Sequence, residues 1–280
     1  MRLSAWVSIG DLVQQKKNFF ERFIIGRFIY QSIFNRKNPS RVLLTLKKAG
    51  VDGIELLLSS NASDNDLERI NQMMQKLNMH IFSIHQPLST LFNIKISKIK
   101  NLCQIAKKLS AEVLVLHTNV IGDQIFNDNY AGSLKALETQ YNIKIAIENM
   151  PKSPLSIFKT YCWKEKEFLS LIKKTGFYIT FDITHLAQTG KDIISFYKNS
   201  KDHIINIHLS DYKKHFLNTH LLLTNHTHLP LGYGNLPIKE FLQVLKKTNY
   251  NGLVTMEING NLKELCQSAR FIRSHLAYAR

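Results

Sequence analysis

Residues 177–235 contain the three segments that decide the fold: FYITFDITHLAQTG at 177–190, IINIHLSD at 204–211 and HTHLPLGYGN at 226–235. The first two begin with short apolar runs of strand length, Phe177–Phe181 and Ile204–Ile207. Each run ends at residues that can bind a metal: Asp182 and His185 after the first, His208 after the second. A buried strand cannot carry polar side chains along its length, but in a parallel barrel its carboxyl end opens to solvent. The pattern therefore indicates a metal site at the mouth of such a barrel.

The same alternation of strand and helix recurs through most of the chain. Further strands are predicted at 3–9, 51–58, 80–84, 112–116, 143–147 and 252–256, and helices follow nearly all of them from residue 38 onward. The helices include 130–140, 164–174, 238–247 and a last one that runs to about residue 279. Eight such units predict an α/β fold, a (β/α)8 TIM barrel that forms a single domain over residues 1–280. The segment at about 11–37 is too long for a simple turn, and we interpret it as an inserted helical segment.

A polar side chain that can bind a metal stands at the carboxyl end of each of the last six predicted strands. Positions 85, 117, 148 and 182 are 32, 31 and 34 residues apart, which is the length of one strand–helix unit. One histidine in such a place is most often structural, but six polar groups in register are not well explained in that way. All six would face one mouth of the barrel, where carboxylates and imidazoles suit a divalent Zn, Mn, Co or Fe ion. The six are His85, His117, Glu148, Asp182, His208 and Glu257.

Two more histidines and a polar loop lie close to these positions in the sequence. His226 and His228 are two residues apart, so an extended segment places both on one side. The Gly-Tyr-Gly at 232–234 lets the backbone turn tightly beside them. Ser210, Asp211 and Lys213 are candidates for contact with a substrate, although an exposed loop explains them equally well.

The order and spacing of the motifs resemble the xylose isomerase-like TIM-barrel superfamily. That superfamily contains sugar and sugar-phosphate isomerases and epimerases, and also the endonuclease IV type of apurinic-site nuclease. The resemblance covers about residues 38–260 and rests on GVDGIEL, VLVLHTN, IAIENMP, FDITHLAQTG, INIHLSD, HLPLGYGNLPI and LVTMEI. Each motif is weak alone, and it is their order and spacing that make the resemblance specific.

The isomerase and epimerase branch implies one divalent Mn, Co or Zn ion held by Glu148, Asp182, His208 and Glu257. It further implies that the metal binds the carbonyl oxygen and the adjacent hydroxyl oxygen of the substrate and stabilises an enediolate. The catalytic residues Glu148 and Glu257 would then pass a proton between carbon atoms. His185 would support a substrate oxygen or a metal ligand. The implied partner is a small sugar or sugar phosphate.

The nuclease branch implies apurinic-site DNA as the partner and a cluster of up to three zinc ions. Where those nucleases have an aspartate, this sequence has His226, and Ser4-Ala5-Trp6 replaces their glycine-alanine-histidine opening. These departures, with IAIENMP and HLPLGYG, favour the isomerase; the extra histidines favour the nuclease. A metal-binding barrel with another role is the third alternative. The residues that match the nuclease set are His85, His117, Glu148, Asp182, His185, His208, His228 and Glu257.

Composition limits the possible partners and the compartment. The net charge of +16, from 37 Lys and Arg against 21 Asp and Glu, favours an anionic partner such as a phosphate ester or nucleic acid. The lysines are nevertheless spread over the predicted helices without a run of five like charges, which is more typical of solvated faces. Three cysteines without metal-type spacing predict free thiols and a cytoplasmic protein. No signal-peptide or transmembrane stretch is predicted, so no membrane partner is expected, and nothing in the sequence indicates an oligomeric state.

Overall fold

The chain folds as a closed barrel of eight parallel strands. The computed structural model describes residues 1–13, 38–59, 62–87, 90, 94–118, 124–150, 164–213 and 227–276. Each strand pairs with the next one in the sequence and the first pairs with the last, which confirms the predicted (β/α)8 TIM barrel. The strands are β1 Arg2–Ser8, β2 Gly53–Leu57, β3 His80–His85, β4 Val113–His117, β5 Lys144–Glu148, β6 Tyr178–Asp182, β7 Ile204–Leu209 and β8 Leu253–Met256.

Helices surround the barrel and follow the strands in the expected alternation. In the described residues they are α1 Ile9–Leu12, α2 Pro39–Lys48, α3 Asp64–Lys76, α4 Ile96–Lys108, α5 Asp128–Tyr141, α6 Glu165–Thr175, α7 Ile183–Gln188, α8 Ile193–Ser200, α9 Ile238–Lys247 and α10 Leu262–Leu276, with a 3-10 turn at Gln124–Phe126.

Several of these helices begin where local sequence chemistry sets the boundary. Asn38 caps α2 by accepting a hydrogen bond from the backbone N–H of Ser40, and Pro39 fills the first helical position, where no N–H is needed. Ser63 and Asp66 form a reciprocal capping box at the start of α3. These caps satisfy backbone groups that a helix cannot satisfy alone, so the short sequence signals place the helix starts.

The barrel interior is apolar at the amino ends of the strands and polar farther along them. A small buried cluster of Phe82, Val113, Val115, Ala146 and Leu253 fills the lower part. The pairing of β2 with β3 shifts register between Ile54 and Glu55, and there the buried Phe82 ring packs close to Gly53. A methyl group on Gly53 would overlap the carbonyl oxygen of His80 and this ring, so only glycine fits.

The structure changes some of the predicted boundaries. The first strand ends at Ser8, and Ile9 begins a short helix instead of ending the strand. The segment after β6 is a short helix, α7, which Asp182 caps by accepting a hydrogen bond from the backbone N–H of His185. Cys103 and Cys266 are buried free thiols, as predicted.

Some predictions lie outside the described residues. They concern residues 14–37 of the proposed insertion, Cys162, residues 214–226 with His226 at their end, and residues 277–280. The insertion therefore stays a prediction. Within the ranges that are described, no helix is both long and apolar enough to cross a membrane.

Candidate metal centre

The carboxyl ends of β3 to β8 bring eight of the nine sequence-predicted site residues together at one mouth of the barrel. They form three overlapping groups in which the potential ligand atoms all lie within 4.8 Å of one another. The groups are His85, His117 and Glu148; Asp182, His185 and His228; and Glu148, Asp182, His208 and Glu257. The ninth residue, His226, lies outside the described part of the chain.

The central group joins one histidine with three carboxylates from four different strands. Glu148, Asp182 and His208 are fully or almost fully buried, and Glu257 is 9% exposed. The Nδ1 atom of His208 lies 2.7 Å from Glu257 Oε2 and 3.7 Å from Glu148 Oε2. Asp182 Oδ2 and Glu257 Oε2 have no hydrogen-bond partner among the described residues. Buried polar atoms without partners are rare, so these two oxygens are suited to bind a cation.

The two outer groups share a carboxylate with the central one. Glu148 Oε2 lies 3.0 Å from His117 Nε2 and 3.4 Å from His85 Nε2. Asp182 Oδ2 lies 3.6 Å from His185 Nδ1 and 3.9 Å from His228 Nδ1. Glu148 and Asp182 can therefore each bridge two neighbouring sites.

Electrostatics in the central group favour ionised Glu148 and Glu257 beside a protonated His208. Burial alone would raise the pKa of Glu148, but the charges of His117 and His208 and hydrogen bonds from the neighbouring histidines hold it well below its ordinary value. Burial likewise opposes ionisation of Glu257, yet His208 and His228 lower its pKa to about 2. Burial would lower the pKa of His208, but the surrounding glutamates raise it well above its ordinary value. A divalent cation could replace this positive charge.

The outer groups show a different balance of burial and charge. Burial raises the pKa of Asp182, and the nearby His185 and His228 offset this only in part. Burial opposes protonation of His185, but Asp182 and Glu148 raise its pKa to about 9. For His117, burial dominates and lowers the pKa. His117 therefore offers a neutral imidazole, the form that binds metals.

Asn149, which follows β5, fixes two of the candidate ligands and was not singled out from the sequence. Its side-chain amide donates to the backbone oxygen of Asp182 at 2.8 Å and accepts from the backbone N–H of Asp182 at 2.7 Å. Its backbone oxygen lies 3.0 Å from His185 Nδ1. Asp182 Oδ1 in turn accepts a hydrogen bond from the backbone N–H of His185 at 2.7 Å. The motif IAIENMP shows an amide beside a strand end, but the sequence does not show which neighbouring strand that amide bonds.

The polar loop after β7 has a structural role at Asp211 that the sequence did not reveal. The buried Asp211 carboxylate accepts hydrogen bonds from four backbone N–H groups, those of Tyr212, Gly232, Gly234 and Leu236. Asp211 therefore shapes the Gly-Tyr-Gly turn, and its contact with a substrate stays a prediction. A methyl group on Gly234 would overlap this carboxylate, which explains the glycine.

Ser210 and Lys213, the other two candidates for contact with a substrate, have different surroundings. Ser210 is buried, with its hydroxyl 2.8 Å from the hydroxyl of Thr184 and 3.3 Å from His228 Nδ1. Lys213 is exposed.

The donor set fits a divalent metal ion. All ion pairs made by Glu148, Asp182 and Glu257 within the described residues are with histidines. A divalent cation would supply the positive charge that these buried carboxylates need when the histidines are neutral and bind it. Mixed carboxylate and imidazole donors suit Zn, Mn, Co or Fe.

Comparisons with known proteins agree with this architecture. An uncharacterized protein of Mycobacterium tuberculosis is 22% identical over 264 residues, which cover 82% of this chain and 90% of that protein. One similar solved structure is a D-tagatose 3-epimerase-like protein, with a TM-score of 0.68 and 21% identity; the match covers 99% of this chain and 97% of that one. Another is an L-ribulose 3-epimerase, with a TM-score of 0.66 and 14% identity; the match covers 99% of this chain and 95% of that one. A third is the IOLI protein with a bound zinc atom, with a TM-score of 0.66 and 16% identity; the match covers the whole of both chains.

A family model described as xylose isomerase-like TIM barrel matches residues 43–275. The chain belongs to the xylose isomerase-like TIM-barrel family.

Proposed function

We propose that this protein is a metal-dependent sugar or sugar-phosphate isomerase or epimerase that transfers a proton through an enediolate. The observation that carries the proposal is the buried central group, in which Glu148, Asp182, His208 and Glu257 bring their ligand atoms within 4.8 Å of one another. The similarity to a D-tagatose 3-epimerase-like protein and an L-ribulose 3-epimerase supports a sugar substrate, and the zinc atom of the IOLI protein supports a metal.

The four residues of the central group would hold one divalent ion, and two of them would also move protons. Bound there, the ion supplies positive charge to a carbonyl oxygen and an adjacent hydroxyl, which makes the neighbouring C–H more acidic. Glu148 ends β5 and Glu257 follows β8, three strands farther around the ring of eight. The two carboxylates therefore reach the mouth from different sides, which suits epimerisation, in which one group removes a proton from one face of a sugar carbon and the other returns a proton to the opposite face.

Charge supports the role of both carboxylates as metal ligands. The low pKa values of Glu148 and Glu257 keep both ionised at neutral pH, the form that binds a divalent ion. His185, 3.1 Å from Glu148 Oε1, is placed to stabilise that carboxylate or a substrate oxygen.

The test is exchange of the proton next to the carbonyl in deuterated water. Wild-type protein with Mn, Co or Zn would be offered a panel of ketoses and their phosphates, and deuterium incorporation followed by NMR. Glu257→Gln should lose about 10²–10⁴-fold in rate, because an amide can still offer an oxygen to a metal but cannot take a proton. Glu240→Gln, on the exposed face of α9, is the matched control and should exchange at the wild-type rate.

An apurinic-site nuclease is the second candidate, favoured by the two outer groups of ligands. His85 with His117, and His185 with His228, extend the central site on both sides in a way that one ion does not need. Cleavage of abasic-site DNA that weakens steeply with salt, together with no exchange on any sugar, would favour the nuclease and overturn the first proposal.

A further inference from the structure

Glu55 is a buried acid inside the barrel that belongs to none of the three groups of candidate ligands. It lies in the middle of β2 and has no exposed surface. Its Oε2 atom accepts hydrogen bonds from Ser83 Oγ at 2.7 Å and from Asn206 Nδ2 at 2.9 Å. Asn206 Oδ1 in turn accepts from Thr255 Oγ1 at 2.9 Å. Burying a carboxylate is costly, so a residue of this kind needs a specific reason to be charged.

The second oxygen of Glu55 faces a ligand of the central group. Glu55 Oε1 lies 2.9 Å from His208 Nε2, a close ion pair that is not an aligned hydrogen bond. Neither of these two atoms has a hydrogen-bond partner elsewhere in the described residues. On the opposite side of the same imidazole ring, Nδ1 lies 2.7 Å from Glu257 Oε2. The ring of His208 therefore stands between Glu55 and the candidate metal position.

A carboxylate oxygen lies close to each ring nitrogen of His208, 2.9 Å from Nε2 and 2.7 Å from Nδ1, so without a metal ion a proton is favoured on both. A divalent ion needs a lone pair, and Nδ1 is the nitrogen on the side of Glu148 and Glu257. With an ion bound there, the one remaining proton is on Nε2, where Glu55 Oε1 favours it. We infer that Glu55 is a positioning residue that keeps the Nε2 proton on His208 and leaves Nδ1 free to bind a divalent ion. The inference rests on the proposed function, because it assumes that the central group binds such an ion.

A purely structural role for Glu55 makes a different prediction from a role in metal binding. Its hydrogen bonds to Ser83 and Asn206 use Oε2, and the contact with His208 uses Oε1. Substitutions can therefore alter one side without the other. If Glu55 served only to link strands, loss of the Ser83 bond and loss of the His208 contact would have similar effects on metal binding.

Glu55→Gln is the informative substitution. Its amide oxygen can still accept from Ser83 and Asn206, which turns the amide NH2 towards His208 Nε2. A donor in that place favours the tautomer with the proton on Nδ1, and this tautomer cannot bind an ion through Nδ1. We expect the affinity for Zn²⁺, measured by competition with a chromogenic chelator, to fall about 10–100-fold, as when other residues that orient a metal ligand are lost.

Ser83→Ala is the matched control, since it removes a hydrogen bond to the same carboxylate and leaves the His208 contact in place. Its Zn²⁺ affinity should stay within a few-fold of wild type. Equal affinity in wild type and Glu55→Gln, or an equal loss in both variants, would overturn the inference. Failure of the wild-type protein to bind any divalent ion would instead refute the proposed function.

A measurement on the wild-type protein needs no substitution and so does not depend on how the variants fold. Nitrogen-15 NMR of the zinc-loaded protein reports which ring nitrogen of each histidine carries a proton. We expect His208 to be protonated on Nε2 and to bind zinc through Nδ1. Zinc on Nε2, or a proton on Nδ1, would overturn the inference whatever the variants do.

Discussion

Replacing Asp211 by Asn tests whether this residue shapes the loop beside the metal centre or contacts a substrate. Each carboxylate oxygen accepts two backbone hydrogen bonds. Oδ1 accepts from the N–H of Tyr212 at 2.8 Å and from the N–H of Leu236 at 3.1 Å. Oδ2 accepts from the N–H of Gly232 at 3.0 Å and from the N–H of Gly234 at 2.9 Å. In Asp211→Asn one oxygen becomes an NH2 group, which faces two N–H donors. Two backbone amides of a partly buried turn then lose their acceptor.

The size of the effect follows from these two lost acceptors. A buried donor without a partner costs about 1–3 kcal/mol, so the substitution should lower the free energy of unfolding by about 2–6 kcal/mol. The entropy of unfolding is about 2.1 cal/mol/K per residue, or roughly 0.6 kcal/mol/K for 280 residues. The melting temperature should therefore fall by about 3–10 °C.

Thermal unfolding followed by circular dichroism measures this change. Asp202→Asn is the control, because Asp202 is highly exposed and pairs only with the neighbouring Lys201 in the described residues, so its loss should leave the melting temperature within about 1 °C. If Asp211→Asn melts like wild type but loses activity on a sugar, the structural role assigned to Asp211 is wrong and a substrate contact takes its place.

Two further predictions concern the metal and the barrel wall. The pKa of His185, raised to about 9, means that its charged pairs stabilise the metal-free protein fully below about pH 6.5 and are lost as pH rises through 9. Metal binding needs neutral imidazoles. The rise in melting temperature on adding Mn²⁺ should therefore become larger between about pH 6.5 and 9. A rise that does not change with pH would contradict the candidate metal centre. Gly53→Ala should lower the free energy of unfolding, measured by urea denaturation, by about 1–3 kcal/mol because its methyl group overlaps the carbonyl oxygen of His80. Gly132→Ala, whose methyl group would lie in open space on α5, should raise it by about 0.5–1 kcal/mol. Equal changes in the two variants would contradict the close packing described around Gly53.

The barrel and the candidate ligands could be predicted because their signals are local. Each strand is a short apolar run, and each ligand stands where that run ends, so the sequence places both at once. The helix α9 has the predicted bounds, Ile238–Lys247, because its apolar face repeats with helical spacing.

The residues that support the ligands could not be predicted, because their roles depend on contacts between distant strands. Glu55 stands within the motif GVDGIEL, where a glutamate between apolar residues gives no indication that it faces His208, 153 positions away. Asp211 looked like a loop residue until its partners at 232–236 were known. Asn149 follows a recognised strand end, but its bonds to Asp182 appear only once β5 and β6 are paired.

The number of divalent ions carried by protein purified without added metal tests the central claim most directly. Elemental analysis of wild-type protein should find one Mn, Co or Zn ion per chain, and Asp182→Asn, which weakens a ligand of the central group, should carry less. Three zinc ions per chain would contradict the single-ion isomerase and would instead match the three overlapping groups of a nuclease-like cluster.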